Sequence, residues 1–215
     1  MATAQASTRR SVAEQTRRGI VDSALKLFGR RGYDATSVQE ITNLAGVTKG
    51  AFYHHFESKE ALLRLIHDEY IDHQLALSRR VLEEASEPDE QLRGLIMAIL
   101  DSVAEFQPNV AVYFQERRAL SGEQASEAKR KREELDRMFR DVISRGVASG
   151  AFLPSTDVRT ATLGIVGMAA SAYEWYQPDG PMSASAIGEQ FANLALDGLR
   201  SHETSRGLAS AHDRA

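Results

Sequence analysis

The chain of 215 residues has no cysteine. That excludes disulfides, thiolate zinc sites and a cysteine nucleophile, and it fits a reducing, cytoplasmic setting. Long apolar runs are missing too. The longest uncharged stretch of the C-terminal half, Thr160 to Tyr173, has 14 residues, where a spanning helix needs about 20. No transmembrane helix and no membrane partner are expected. The N-terminus carries arginines with no apolar block behind them, which is not a secretory signal. An excess of positive charge is also lacking: 26 Lys+Arg stand against 30 Asp+Glu, a net −4. A uniformly basic surface suited to a phosphate backbone is therefore ruled out. The total hides an asymmetry, because residues 1–60 hold nine Lys+Arg against six Asp+Glu and the remainder 17 against 24. The DNA-compatible end is the first one. No glycine-rich nucleotide loop is present. At 42% hydrophobic residues there is enough apolar side chain for a packed core, which excludes global disorder.

What is present reads as all-α, with about nine helices and no alternating strand pattern. The five prolines, Pro88, Pro108, Pro154, Pro178 and Pro181, all punctuate. The first helix is predicted from Val12 to Arg30, with Ile20, Ala24, Leu27 and Phe28 on one face and Gly32 ending it. Ser37 followed by Glu40 is a capping box that starts a short second helix. Thr48 caps a third over Lys49 to His55, and Ser58 a fourth that reaches Ala85. Pro88 starts a fifth, and Pro108 a sixth ending near Gly122. The seventh has a polar half, residues 123–134, then an apolar stripe closed by Gly150. The eighth ends near Pro178, and the ninth runs from Ala184 to Arg200. Residues 1–11 are expected to be a disordered basic arm and 201–215 a disordered tail.

The most informative segment is Ala45-Gly46-Val47-Thr48-Lys49-Gly50-Ala51-Phe52-Tyr53-His54-His55-Phe56. It joins two short helices through a tight turn, for which Gly46 supplies a positive φ. Ile41, Leu44, Val47 and Phe52 are expected to hold the pair together. This is helix-turn-helix logic, with the second helix presented to a major groove. Thr48 and Lys49 lie at its start, where exposed N–H groups favour phosphate. Gly50 lets the backbone approach closely. The same geometry also occurs in bundles that bind no DNA, where Tyr53 would be a packing aromatic and His54-His55 a solvated helix end.

On these residues the chain resembles the TetR family of bacterial repressors. The matching positions are Ala24, Phe28, Gly32, Tyr33, Thr36, Val38, Ile41, Ala45, Gly46, Val47, Gly50, Tyr53, Phe56, Lys59, Glu60 and Leu62. Thr42 departs from the alanine usual in the family. The resemblance implies a DNA-binding domain over 12–60 and a ligand-binding and dimerisation domain over 61–200. It implies DNA contacts by Thr48, Lys49, Gly50, Tyr53 and His54 on the reading helix. Lys59 would clamp phosphate, Thr36 or Ser37 would meet the backbone, and Arg17 and Arg18 would lie near phosphate or the minor groove. The implied partners are a palindromic double-stranded operator, a small-molecule effector and a second copy of the chain.

The second domain carries small residues on its last two helices: Gly164, Gly167 and Ser171, then Ala195 and Gly198. Met168, Ile187, Phe191 and Leu194 lie among them. Small residues permit the close approach a four-helix dimer interface needs, or equally a close contact within one chain. An effector pocket is expected among Met97, Leu100, Val103, Phe106, Tyr113, Phe114, Arg117, Met138, Met168, Tyr173, Trp175 and Tyr176. The strings Val112 to Arg118, Gly146 to Phe152 and Trp175 to Pro181 are similar to acyl-CoA-responsive TetR repressors of fatty-acid or sterol-ring breakdown. That similarity implies an acyl-CoA effector, with Arg117, Arg118 and Lys129 to Arg132 available for its phosphates. Residues 123–134 hold as many acids as cations, so they also suit an ordinary solvated face. An aromatic, drug-like ligand stacking on Trp175, Tyr176 or Tyr113 is the alternative effector, and a ligand-binding module without DNA activity the alternative function. No enzyme, cofactor or metal is expected. Ser126 and Lys129 spell a serine–lysine motif without its partner motifs. His67 and His73 are six residues apart, off a common helical face.

Overall fold

The computed structural model describes residues 2–116, 119, 120 and 122–200, with only the backbone for residues 2–11 and 124. The chain is helical: α1 (Ala2–Arg31), α2 (Val38–Ala45), α3 (Lys49–His55), α4 (Lys59–Glu84), α5 (Pro88–Glu105), α6 (Gln107–Gln115), α7 (Gly122–Ser149), α8 (Val158–Ala170), the single turn α9 (Ala172–Trp175) and α10 (Ala184–Leu199). Among the described residues β pairing amounts to one bridge, Phe152 with Arg200. Three expectations are corrected. The helix begins at Ala2, not at Val12. The eighth helix stops at Ala170, and α9 follows it. The sixth is shorter than predicted, ending at Gln115. The expected tail, 201–215, lies outside the described residues.

Local chemistry accounts for the boundaries. The Ser37 hydroxyl accepts the Glu40 N–H at 3.2 Å, and a Glu40 carboxylate oxygen accepts the Ser37 N–H at 2.9 Å. This capping box satisfies two of the donors that a helix start leaves free. Thr48 accepts the Ala51 N–H at 3.1 Å, Ser58 that of Ala61 at 3.0 Å and Asp157 that of Thr160 at 2.7 Å. Gly32 and Gly46, at φ 82° and 68°, end α1 and α2 in the left-handed region, where a side chain is disfavoured.

Contacts divide the chain into two units. The first comprises the chain up to Asp72 together with Phe106–Arg130. Its core is Ile20, Ala24, Phe28, Ile41, Phe52, Leu62, Leu63 and Ile66, with Val112 of α6 and Ala128 of α7. Each large apolar side chain buried there contributes about 1.5–3 kcal/mol. The break expected after residue 60 is therefore not where contacts separate, because the first half of α4 is needed to close this core. The second unit is His73–Glu105 with the described residues from Lys131 on. There α10 packs along α5, burying Leu92, Leu95, Ile96, Ile99 and Leu196. Glycines allow close approach inside it: a methyl group at Gly188 would come within 2.7 Å of the Met97 sulfur, and one at Gly94 within 2.5 Å of Val81.

Candidate nucleic-acid interface and sensor face

In the first unit, α2 and α3 stand on α1 and meet through the turn at Gly46 and Val47. Phe52 is the buried anchor of α3, with ring centroids 5.3 Å from Tyr53 and 5.6 Å from Phe56. Burying Phe52 turns the opposite side of the helix outward. Thr48, Lys49, Gly50, Tyr53 and His54 are all exposed, Tyr53 by 55%. These five predicted contacts share one short helix and its cap. The Tyr53 ring stands largely outside the core and is accessible to a partner. Leu44, expected in the helix–helix contact, is 52% exposed. Thr42 fills the inward place instead, fully buried, its hydroxyl donating to the Gln39 carbonyl at 3.0 Å.

The remaining predicted contacts are placed differently. Thr36 is buried, and its hydroxyl donates to the Gly32 carbonyl at 2.8 Å. Ser37 is exposed, but its side chain is committed to the capping box. The Lys59 ammonium donates to the carbonyls of Tyr33 and Thr36, each at 2.7 Å, and sits 4.0 Å from the Tyr33 ring centroid. It ties α4 to the α1–α2 turn, which leaves one N–H for anything else. Arg18 is exposed. Arg17 lies 5.7 Å from the Phe56 ring centroid and lines a cleft of about 720 Å³. Glu57, Glu60, Asp68, Glu123 and Glu127 line the same cleft, and so many carboxylates repel phosphate. His55 lies there too; burial, then the neighbouring cations His54 and Arg17, push its imidazole below the usual value.

The residues expected around an effector fall into both units. Phe106, Tyr113 and Phe114 belong to the first. Tyr113 is buried, with ring centroids 4.8 Å from Tyr70 and 5.1 Å from His67. Met97, Leu100, Val103, Met138, Met168, Tyr173, Trp175 and Tyr176 belong to the second. Leu100 and Val103 are fully buried on α5. Arg117 and Arg118 lie outside the described residues. Trp175 and Tyr176 line an apolar cleft of about 420 Å³ with Pro181, Met182, Ile187 and Phe191. Ile187 and Phe191, expected on a dimer face, thus open onto this cleft. Met182 was not anticipated, since it follows a turn and shows no helical period.

On α8 and α10, Gly164, Gly167, Leu194 and Gly198 are exposed, and Leu163 and Leu194 are 62% and 65% accessible. A shallow groove there is lined by Gly164, Ile165, Met168, Leu194, Ala195 and Gly198. Ser171 is half-buried, its hydroxyl donating to the Met168 carbonyl at 2.8 Å. Among the described residues no cluster of three or more metal-ligating side chains occurs, and no single helix is long and apolar enough to cross a membrane.

A helix-turn-helix with an exposed second helix, followed by a helical unit with an apolar cleft, fits the class of DNA-binding regulators. Comparison with known proteins gives the family. Residues 20–66 match the profile of bacterial regulatory proteins of the tetR family, and residues 85–199 the tetracyclin repressor-like C-terminal domain. The chain belongs to the TetR family and is a transcriptional regulator, not an enzyme. It is 32% identical over 181 residues to the HTH-type transcriptional repressor KstR2 of Mycolicibacterium smegmatis, covering 84% of this chain and 88% of the relative. The solved structure of the ketosteroid transcriptional regulator KstR2 of Mycobacterium tuberculosis superposes with a TM-score of 0.82 at 29% identity, over 86% of this chain and 95% of that one. AibR, solved in complex with isovaleryl coenzyme A and operator DNA, gives 0.74 at 25% identity over 83% and 97%.

Proposed function

We propose that the chain is a homodimeric transcriptional repressor of the cytoplasm, released from a palindromic operator when an acyl-CoA thioester binds its second unit. The observation that carries this reading is the outward face of α3, where Thr48, Lys49, Gly50, Tyr53 and His54 stand together in water. One seven-residue helix reads few base pairs, so a twofold pair reading two half-sites about 34–36 Å apart is required for useful affinity. The exposed leucines and glycines of α8 and α10 supply a self-complementary surface for that pair. For the effector, the cleft beside Trp175 suits an apolar acyl chain or fused ring. KstR2 is described as a ketosteroid regulator and AibR was solved with an acyl-CoA, which favours the thioester. A second reading, a neutral aromatic effector, is favoured by the cleft itself, since no Lys, Arg or His lines it among the described residues.

Selection of duplexes from a random library, followed by displacement with a panel of acyl-CoAs, free acids and aromatic compounds, tests both halves. An enriched palindrome released by thioesters supports the proposal. Release by free acids as readily as by their thioesters removes the CoA reading. Saturable ligand binding with no duplex preference across a wide salt range would leave a binding module without DNA activity.

A further inference from the structure

The turn between α1 and α2 is gripped from two sides by charged side chains. A Glu116 carboxylate oxygen, at the C-terminal cap of α6, accepts the Tyr33 N–H at 2.9 Å. The same oxygen would stand 3.4 Å from a methyl group placed on Gly32. From the other side, Lys59 donates to the Tyr33 and Thr36 carbonyls and lies over the Tyr33 ring. Both backbone polar groups of Tyr33 are thus taken by ions, and charge-assisted hydrogen bonds are about twice as strong as neutral ones. Directly after this turn the chain enters the capping box of α2, the Gly46 turn and α3. Residues 33–36 therefore lead directly into the start of α2, ahead of the reading helix.

The origin of the grip matters as much as its strength. α6 falls within the segment that matches the C-terminal family domain, residues 85–199, yet its contacts put it in the first unit, against α1. Val112 is part of that unit's core, so α6 is held by packing there and Glu116 is delivered to the turn at a fixed height. One residue, Phe106, separates α6 from α5 in the chain.

We propose that Glu116 is a positioning residue for DNA reading: through the Tyr33 N–H, α6 sets the seat of α2 and α3, with Lys59 as the opposing grip. The inference rests on the DNA-reading function proposed above. A duplex enriched by the wild-type chain and a random duplex of equal length are titrated by fluorescence anisotropy against the wild type and Glu116→Ala, Glu116→Gln and Glu116→Asp, with hydrogen exchange followed at the Tyr33 amide. Ala and Gln remove the same charge and differ in the hydrogen-bond acceptor. The expected result is that Ala weakens the enriched duplex about tenfold, leaves the random duplex within about twofold and exposes the Tyr33 amide, while Gln stays within about threefold on both. Equal losses on the two duplexes, which an effect on folding alone would give, overturn the proposal. So does an unchanged Ala variant, or a Gln variant as weak as Ala. Should the Ala variant not fold, Glu116→Asp keeps the charge and withdraws the acceptor by one methylene, so it must show the same selective loss; wild-type behaviour overturns the proposal. A wild-type chain that enriches no duplex overturns the operator reading together with this one, whereas discrimination indifferent to Glu116 overturns only this one.

Discussion

Gly164 and Gly167 lie inside α8, are exposed, and a methyl group at either would meet nothing within 4 Å outside its own helical turn among the described residues. Glycine in a helix interior costs about 0.5–1 kcal/mol relative to alanine. If the face stays open to water, Gly164→Ala with Gly167→Ala should therefore stabilise the protein by about 1–2 kcal/mol, raising Tm by roughly 2–8 °C for a chain of this size. If the face is the dimer interface, the sign reverses. The methyl at Gly164 would enter the groove lined by Ile165, Met168, Leu194 and Ala195, that at Gly167 would stand on the same exposed helix, and overpacking against a second copy costs about 1–3 kcal/mol. In a twofold dimer every substitution acts twice. The dimer Kd should then rise at least tenfold, since about 1.4 kcal/mol is one decade. Sedimentation equilibrium gives the Kd, and melts at several protein concentrations show whether Tm follows association. A double variant that is more stable and dimerises as tightly as the wild type would refute the assignment of this face.

Lys49→Ala should weaken operator binding and lower the salt slope of log K by about 1, as loss of one phosphate contact does; an unchanged slope in a salt titration contradicts that role. Tyr53→Ala should reduce operator affinity with little change in Tm, because the ring is mostly in water; a large drop in a thermal melt would mark it as packing instead. Gly146→Ala should destabilise by about 1–3 kcal/mol, since the new methyl would lie 2.1 Å from the fully buried Phe152 ring. That ring cannot withdraw, because the Phe152 N–H is held by the Gly146 carbonyl at 2.9 Å and the next N–H by Leu199 at 2.7 Å; urea unfolding measures the effect. The Glu40 carboxyl is held below its usual range by its backbone and side-chain hydrogen bonds with Ser37. Its contribution is therefore present above the unfolded pKa and lost as pH falls through the lower, folded value. The Tm gap between wild type and Glu40→Gln should narrow on acidification from pH 7 to 3, and a constant gap would count against the linkage.

The helix starts at Ser37, Thr48 and Ser58 were legible because a cap is made within three or four residues of itself. The Gly46 turn was legible because few residues adopt its φ. The outward face of α3 followed from the single apolar anchor Phe52. Leu44 was misplaced because the helix lying beside it decides which side chain of α2 turns inward, and the Lys59 bonds to the Tyr33 and Thr36 carbonyls span 26 and 23 positions, beyond any local pattern. Leu100 and Val103 look like pocket residues in the sequence because core and pocket linings share one composition. Both are fully buried on α5, which suits either role. The sequence carried no sign of the contact Glu116 makes, since its partner, the Tyr33 backbone, is 83 positions away.

By itself, the sequence determined the helical class, the capped helix-turn-helix and the basic bias of the first 60 residues, all products of short-range periodicity, capping and charge. It also carried the family, through many positions in register. The tertiary structure alone decided which segments share a core. It assigned α6 and the start of α7 to the DNA-reading unit, turned Lys59 inward onto two carbonyls, and left the glycines of α8 uncovered. The physical reason is that burial and charge pairing depend on long-range closure of the chain, and many closures are compatible with the same local pattern.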